Sequence, residues 1–184
     1  MTSIEELESR VDRLESRAAI RELVTKYAIA CDEHDIPTLQ NLFTRDAVFK
    51  SPSSFLESSG REAIASMFIE VLKTRGPGYH WTHDLILDFG DDENSATGVV
   101  YSHAETTPNG VVSIAAMKYK DRYRRESGVW YFSEREIHFF YYVPMEQYID
   151  TLNREERLYV GQDRRAADFP ESAQSWEDFE KTYK

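Results

Sequence analysis

Ala18-Ala19-Ile20-Arg21-Glu22-Leu23-Val24-Thr25-Lys26-Tyr27-Ala28-Ile29-Ala30-Cys31-Asp32 sets Ile20, Leu23, Val24, Tyr27, Ala28 and Cys31 at helical spacing, one apolar stripe on one face. Asp32 continues that stripe, one turn beyond Ala28 and five residues after Tyr27. A carboxylate withdrawn from water is costly unless something pairs with it, so this position has a reason. Either Asp32 serves chemistry from the inner end of a buried helix, or it closes the helix at a solvated rim where Glu33-His34-Asp35 begins.

Before this stretch, Ile4, Leu7, Val11 and Leu14 alternate at three and four with Glu and Arg between them. Four seam positions are few for a self-standing coiled coil, so residues 1–16 read as a helical extension that packs on its own domain or on a neighbour. No Gly or Pro separates it from Ala18–Asp32, and one long or once-bent helix is expected. Asp35-Ile36-Pro37 starts a second short helix, Ala47–Phe49 a brief strand, Ser51–Gly60 a loop, and Arg61–Arg75 a third helix with Ile64, Met67, Phe68, Val71 and Leu72 on one face.

Past Gly76-Pro77-Gly78 the period changes. Four strands are expected, at about Tyr79–Phe89, Ala96–Thr107, Gly110–Glu126 and Val129–Tyr142. They are joined by Gly90–Asn94, by Pro108-Asn109-Gly110 and by Glu126-Ser127-Gly128, the last two with tight-hairpin chemistry. Helices followed by an antiparallel meander make an α+β fold: a cone-shaped barrel in which a curved antiparallel sheet packs against three N-terminal helices. The core domain spans residues 17–145. A short helix at Met145–Leu152 and an acidic tail fill residues 146–184, and the tail from Gly161 is expected to be loosely held or docked on a neighbour.

Composition narrows the class. At 184 residues with 41% hydrophobic and 13% aromatic content, the chain suits one domain with a sizeable core. A formal net charge of -11 argues against nucleic-acid and anionic-membrane partners, both of which require a basic face. One cysteine, Cys31, rules out an intramolecular disulfide. The start Met-Thr-Ser-Ile-Glu-Glu-Leu-Glu lacks signal-peptide character, and no apolar run approaches the roughly 20 residues of a membrane span, so a cytoplasmic location is expected.

The second chemical signal is Tyr79-His80-Trp81-Thr82-His83-Asp84. His80 and His83 fall on opposite faces of a strand, and no further ligand motif accompanies them, so neither a metal nor another cofactor is expected. A neutral imidazole with a buried carboxylate behind it is an oriented general base, which pairs His80 with Asp32. His103, on the next strand, is a further candidate whose facing one bulge would reverse. Arg135, in Glu134-Arg135-Glu136, is either a site residue or a salt-bridged surface residue. His138-Phe139-Phe140-Tyr141-Tyr142 offers a flat aromatic wall, in which Phe139 and Tyr141, with Trp81 and Phe68, are the expected contacts of an apolar ligand.

From about Arg17 to Tyr142 the chain resembles the SnoaL-like group of the nuclear-transport-factor-2-like superfamily, which includes scytalone dehydratase, bile acid 7-alpha-dehydratase and hexachlorocyclohexane dehydrochlorinase. The resemblance rests on Arg-Ala-Ala-Ile-Arg-Glu-Leu…Tyr…Asp, on Gly-Tyr-His before the long strand, and on Ser-Gly-Val-Trp-Tyr-Phe-Ser. It implies that Asp32 and His80 form a proton-abstracting dyad, that Tyr27 matches a tyrosine aimed at a substrate oxygen in the dehydratases, and that Arg135 falls where the dehydrochlorinase carries an active-site arginine. The dehydrochlorinase has lysine in place of Tyr27. The bile acid enzyme's arginine falls at Phe139, and its second aspartate falls near His103 or Ala104.

The function expected is a cofactor-independent lyase or isomerase on a small, mostly apolar molecule bearing a hydroxyl, carbonyl or halide. The competing class is a binding module of the same fold that carries a ligand or docks a partner; a dioxygenase small subunit is a third. Apolar residues on both faces of Gly110–Glu126 (Val111, Val112, Ile114, Ala115, Ala116, Met117, Tyr119) and the unmatched seam of the extension point to a homo-oligomer, dimer or trimer.

Overall fold

The computed structural model describes residues 3–54, 56–90, 92–160 and 163–184. Asp91 of the first expected join, Phe55 of the expected loop and Gly161 at the head of the tail lie outside the described residues. One uninterrupted helix, α1 (Ile4–Asp32), opens the fold. Ser3 and Glu6 start it with a reciprocal capping box: the Ser3 hydroxyl accepts from the Glu6 amide at 3.1 Å, and the Glu6 carboxylate accepts from the Ser3 amide at 2.8 Å. His34, at φ 55°, turns the chain out of the helix, and Asp35 then caps α2 (Ile36–Asn41) by accepting from the Thr38 amide at 3.0 Å.

β1 (Phe43–Ser51) is longer than the expected Ala47–Phe49: Phe43 pairs with Phe132 at its start, and β2 (Leu56–Ser59), inside the segment read as a loop, pairs antiparallel with Val48–Ser51 at its end. α3 (Arg61–Lys73) follows, and then β3 (Tyr79–Asp88), β4 (Ser95–Thr106), β5 (Ser113–Glu126) and β6 (Val129–Pro144) form the meander. β5 starts late because Asn109 and Gly110 occupy positive φ in the preceding turn, leaving Val111 and Val112 exposed outside the strand. Ser127 and Gly128, at φ 50° and 82°, close the β5–β6 hairpin in the manner such two-residue turns require.

The curved, unclosed sheet runs β2-β1-β6-β5-β4-β3, with β1 and β6 parallel and the other neighbours antiparallel. α1 packs on its concave side against β3 and β6, while α3 packs on α2 and β1. Register shifts between Thr82 and Leu85 of β3, and at two points where β6 faces β5, leave one extra residue each time. These bulges decide which side chains enter the cone.

The C-terminal segment docks on its own sheet. After a 3-10 turn (Met145–Gln147) and α4 (Tyr148–Thr151), β7 (Leu158–Val160) pairs with β6 and β8 (Asp163–Arg165) pairs with β7. Arg157 fastens this strap: its Nε donates to the Phe140 carbonyl at 2.9 Å and its two Nη atoms donate to Glu171 at 2.9 and 2.7 Å. Asp168 accepts from the Phe139 amide at 2.8 Å and returns its own amide to the Phe139 carbonyl at 2.9 Å, while Phe169 is buried beneath Lys118. α5 (Gln174–Tyr183) buries none of its residues, and Ile4, Leu7, Val11 and Leu14 of α1 are exposed.

Candidate active site

Asp32 and His80 meet. α1 delivers Asp32 as its last residue, and β3 delivers His80 as its second, on the strand face turned toward α1. The imidazole Nδ1 lies 2.6 Å from Asp32 Oδ1, and the His80 backbone amide donates to Oδ2 at 3.0 Å. Both carboxylate oxygens are thus engaged as acceptors, so Nδ1 is the donor of this contact, and in the neutral ring Nε2 carries the lone pair. At 14% and 22% side-chain exposure, the pair is recessed without being sealed. No basic residue occupies the last turn of α1, so His80 is the partner that offsets a carboxylate at the negative end of a helix.

Behind the pair the cone is filled by rings around a buried cation. Arg135 has 0% side-chain exposure; its Nε and Nη2 donate to Asp121 Oδ1 and Oδ2 at 3.0 and 3.1 Å, and Tyr123 donates to Asp121 at 2.8 Å. The guanidinium carbon stands 4.1, 3.9 and 4.4 Å from the ring centres of Tyr27, Tyr119 and Phe132. A salt-bridged surface arginine is therefore excluded. Tyr27 is buried with edge contacts to Phe43, Phe68, Tyr119 and Phe132, which brings Phe68 into the same cluster. Burial pushes the Tyr27 phenol well up, so it is a donor rather than a base. Burial likewise pushes the Cys31 thiol up to about 12, which removes it as a nucleophile at neutral pH. Phe139 also lies on the inner face, stacked on Tyr142 at 5.7 Å.

Three expected ligand contacts do not join this group. Trp81 and His103 pair across β3 and β4 on the outer face, since β3 turns His80 and Thr82 inward, and Trp81 is 53% exposed. His103 meets the outward His83 at 2.6 Å between ring nitrogens, with the rings stacked. Tyr141 faces outward against Tyr148, because Phe140 is the extra residue of a bulge that opposes Ala116-Met117 to Tyr141 and Phe139. The site residue missed by sequence reasoning is Asp121. Its signal was present: Tyr119, Asp121 and Tyr123 alternate onto one face, a carboxylate on an apolar strand face just as Asp32 is on an apolar helix face.

Among the described residues no cluster of three or more His, Cys, Asp or Glu could hold a metal ion, and no helix is long and apolar enough to cross a membrane. An open, polar recess lined by Asp88, Asn94, Arg122 and Arg124 lies eight residues along β3 from His80; it touches the buried cluster through Tyr123 and includes neither Asp32 nor His80.

The model of the SnoaL-like domain matches residues 12–136. The gamma-hexachlorocyclohexane dehydrochlorinase of Sphingobium indicum is 30% identical over 147 residues, covering 74% of this chain and 88% of that protein. The crystal structure of LinA, a hexachlorocyclohexane dehydrochlorinase, superposes with a TM-score of 0.70 at 26% identity, covering 74% and 94% of the two chains. A candidate scytalone dehydratase of Novosphingobium aromaticivorans, at TM-score 0.67 and 20% identity over 73% and 91%, shares the fold. With the family model spanning most of the chain and the cone fold common to these relatives, the protein belongs to the SnoaL-like domain family.

Proposed function

We propose that the protein is a cofactor-independent lyase or isomerase, dehydratase-like in its chemistry, acting on a small, mostly apolar molecule that bears a hydroxyl, carbonyl or halide. The observation that carries this reading is the recessed contact of His80 Nδ1 with Asp32, which presents Nε2 as a base. His80 Nε2 takes a proton from a substrate carbon. The electron pair of the broken C–H bond forms a new double bond as the hydroxide or halide leaves, or passes to an adjacent carbonyl as an enolate. Asp32 holds the tautomer and stabilises the imidazolium, and Tyr27, kept protonated by burial, donates toward the oxygen that gains charge. Phe68 and Phe139 supply apolar contact. His103, Trp81 and Tyr141 take no part in the inner site.

The relatives act as dehydrochlorinases or are named as dehydratases, which agrees with lyase chemistry. Turnover of halogenated and hydroxylated alicyclic candidates by the wild type and two variants tests the reading. His80→Ala and Asp32→Asn are each expected to lower kcat by about 10²–10⁴. Unchanged turnover in both variants would rule out the dyad.

A further inference from the structure

The register of the sheet fixes what stands beside His80 on the inner face. His80 of β3 pairs with Ala104 of β4, Ala104 with Ala115 of β5, and Ala115 with Tyr142 of β6. Thr106 lies two residues beyond Ala104, which makes it the diagonal neighbour of His80 across the two strands, and such positions hold their Cα atoms about 7–8 Å apart. Ala104 and Thr106 are both buried on the inner face of β4. Little projects between Thr106 and the imidazole. Ala104 contributes one methyl, and Gly78 contributes none: a Cβ there would lie 3.6 Å from Thr106 Cα and 3.7 Å from its Cγ2.

The Tyr142 hydroxyl comes into this corner. It lies 2.8 Å from Thr106 Oγ1, so the side chain reaches from β6 past β5 to β4, with the small Ala115 as its neighbour on the strand between. Burial decides the direction of the bond. Thr106 is 4% exposed, and its hydroxyl has no other hydrogen-bond partner among the described residues. A buried O–H left unspent is costly, so Thr106 donates and the Tyr142 oxygen accepts. The O–H of Tyr142, on a half-buried ring, then remains uncommitted on the strand next to His80.

We propose that Tyr142 donates this O–H to a carbonyl oxygen of the substrate, next to the carbon that His80 deprotonates, and that Thr106 is the positioning residue that aims it. The proposal rests on the reading that His80 is a base in this cone, and it adds the substrate class: a small apolar ketone. His80 Nε2 takes the proton from the α-carbon. The C–H electron pair becomes the new C=C bond while the carbonyl π pair moves to oxygen, and Tyr142 keeps its proton and hydrogen-bonds the enolate oxygen. A carbon-bound halogen is too weak an acceptor to use this donor.

The test is calorimetric binding of cyclohexanone and 2-tetralone to the full chain, each against the hydrocarbon in which a methylene group replaces the oxygen. Tyr142→Phe is expected to weaken the better ketone about 3- to 10-fold and to leave its methylene counterpart unchanged. Thr106→Val is expected to weaken the ketone alone, by a smaller factor, and Thr106→Ser to bind as the wild type does. Unliganded melting temperatures mark the folded variants. Equal losses for ketone and hydrocarbon would reduce Tyr142 to packing and overturn the proposal, as would an unchanged ketone affinity in Tyr142→Phe or no ketone binding to the wild type at millimolar concentration. Failure of the dyad reading looks different: exchange of the ketone α-protons in deuterated water, followed by NMR, would be the same in His80→Ala as in the wild type while the Tyr142-dependent binding stayed intact.

Discussion

Asp121 and Arg135 are a fully buried, bidentate ion pair whose geometry is the condition for keeping two charges out of water. Removing one partner leaves the other uncompensated. Asp121→Asn is expected to lower unfolding free energy by about 3–5 kcal/mol in urea denaturation. Replacing both, Asp121→Leu with Arg135→Met, is expected to recover most of that loss, since the desolvation cost disappears with the charges. A double mutant no more stable than Asp121→Asn would place the cost in packing. The same reasoning distinguishes Asp32, whose carboxylate is recessed yet reachable and answered by an imidazole, from Asp121, which is answered by a permanent cation. Both aspartates break an apolar face in the sequence, and the partner across the cone, with the difference in exposure, separates the carboxylate proposed to serve chemistry from the ion-paired one.

The elements themselves were largely legible, and their irregularities were not. Helical stripes at Ile20–Cys31 and Ile64–Leu72 and the Gly- and Asn-bearing turns marked α1, α3 and the meander. Alternation assigns faces only while the register holds, and each bulge reverses it. One extra residue near Ser133 lets Phe132 and Arg135 both face inward, while Glu134 and Glu136 pair with Lys50 outside. Another at Phe140 sends Tyr141 outward. Close approach is a further feature of this level: a Cβ on Gly98 of β4 would lie 2.9 Å from the Tyr123 ring and 3.1 Å from Leu87 Cδ2. Gly98→Ala is expected to cost about 1–3 kcal/mol, measured by thermal unfolding, because both neighbours are buried and cannot retreat freely.

Across the molecule, the strap from Arg157 to Glu171 ties the chain's end to the bulge of β6. Burial pushes the Asp168 carboxyl up, but the His138 ring, the Ser53 hydroxyl and the Phe139 amide outweigh it and hold the group below the ordinary carboxylate range. The hydrogen bonds of Arg157 do the same for Glu171. Native values below the unfolded ones mean that the released strap binds more protons, so the contribution is complete above about pH 5 and fades as pH falls through the unfolded and then the native values. Amide exchange at Phe139 and Leu158 is expected to accelerate in that acid window and to stay slow near neutrality. The exposed seam of Ile4, Leu7, Val11 and Leu14, with the outer-face Trp81 and Ile86, supports the proposal of a homo-oligomer. Light scattering at micromolar concentration is expected to give twice or three times 21.5 kDa, and a monomer would sink that proposal.

Periodicity, turn chemistry and two misplaced polar residues were enough to read helices before strands, the curved sheet on its helices, and the candidacy of Asp32 and His80, because local spacing and burial preference act within a few residues. The 2.6 Å contact between Asp32 and His80, the inward turn of Arg135, the outward turn of Trp81, His103 and Tyr141, and the docking of the tail depend on partners 14 to 48 residues apart and on single-residue slips in register. Such slips leave no trace in composition or period. They are settled only when neighbouring strands compete for the same hydrogen bonds and the same space.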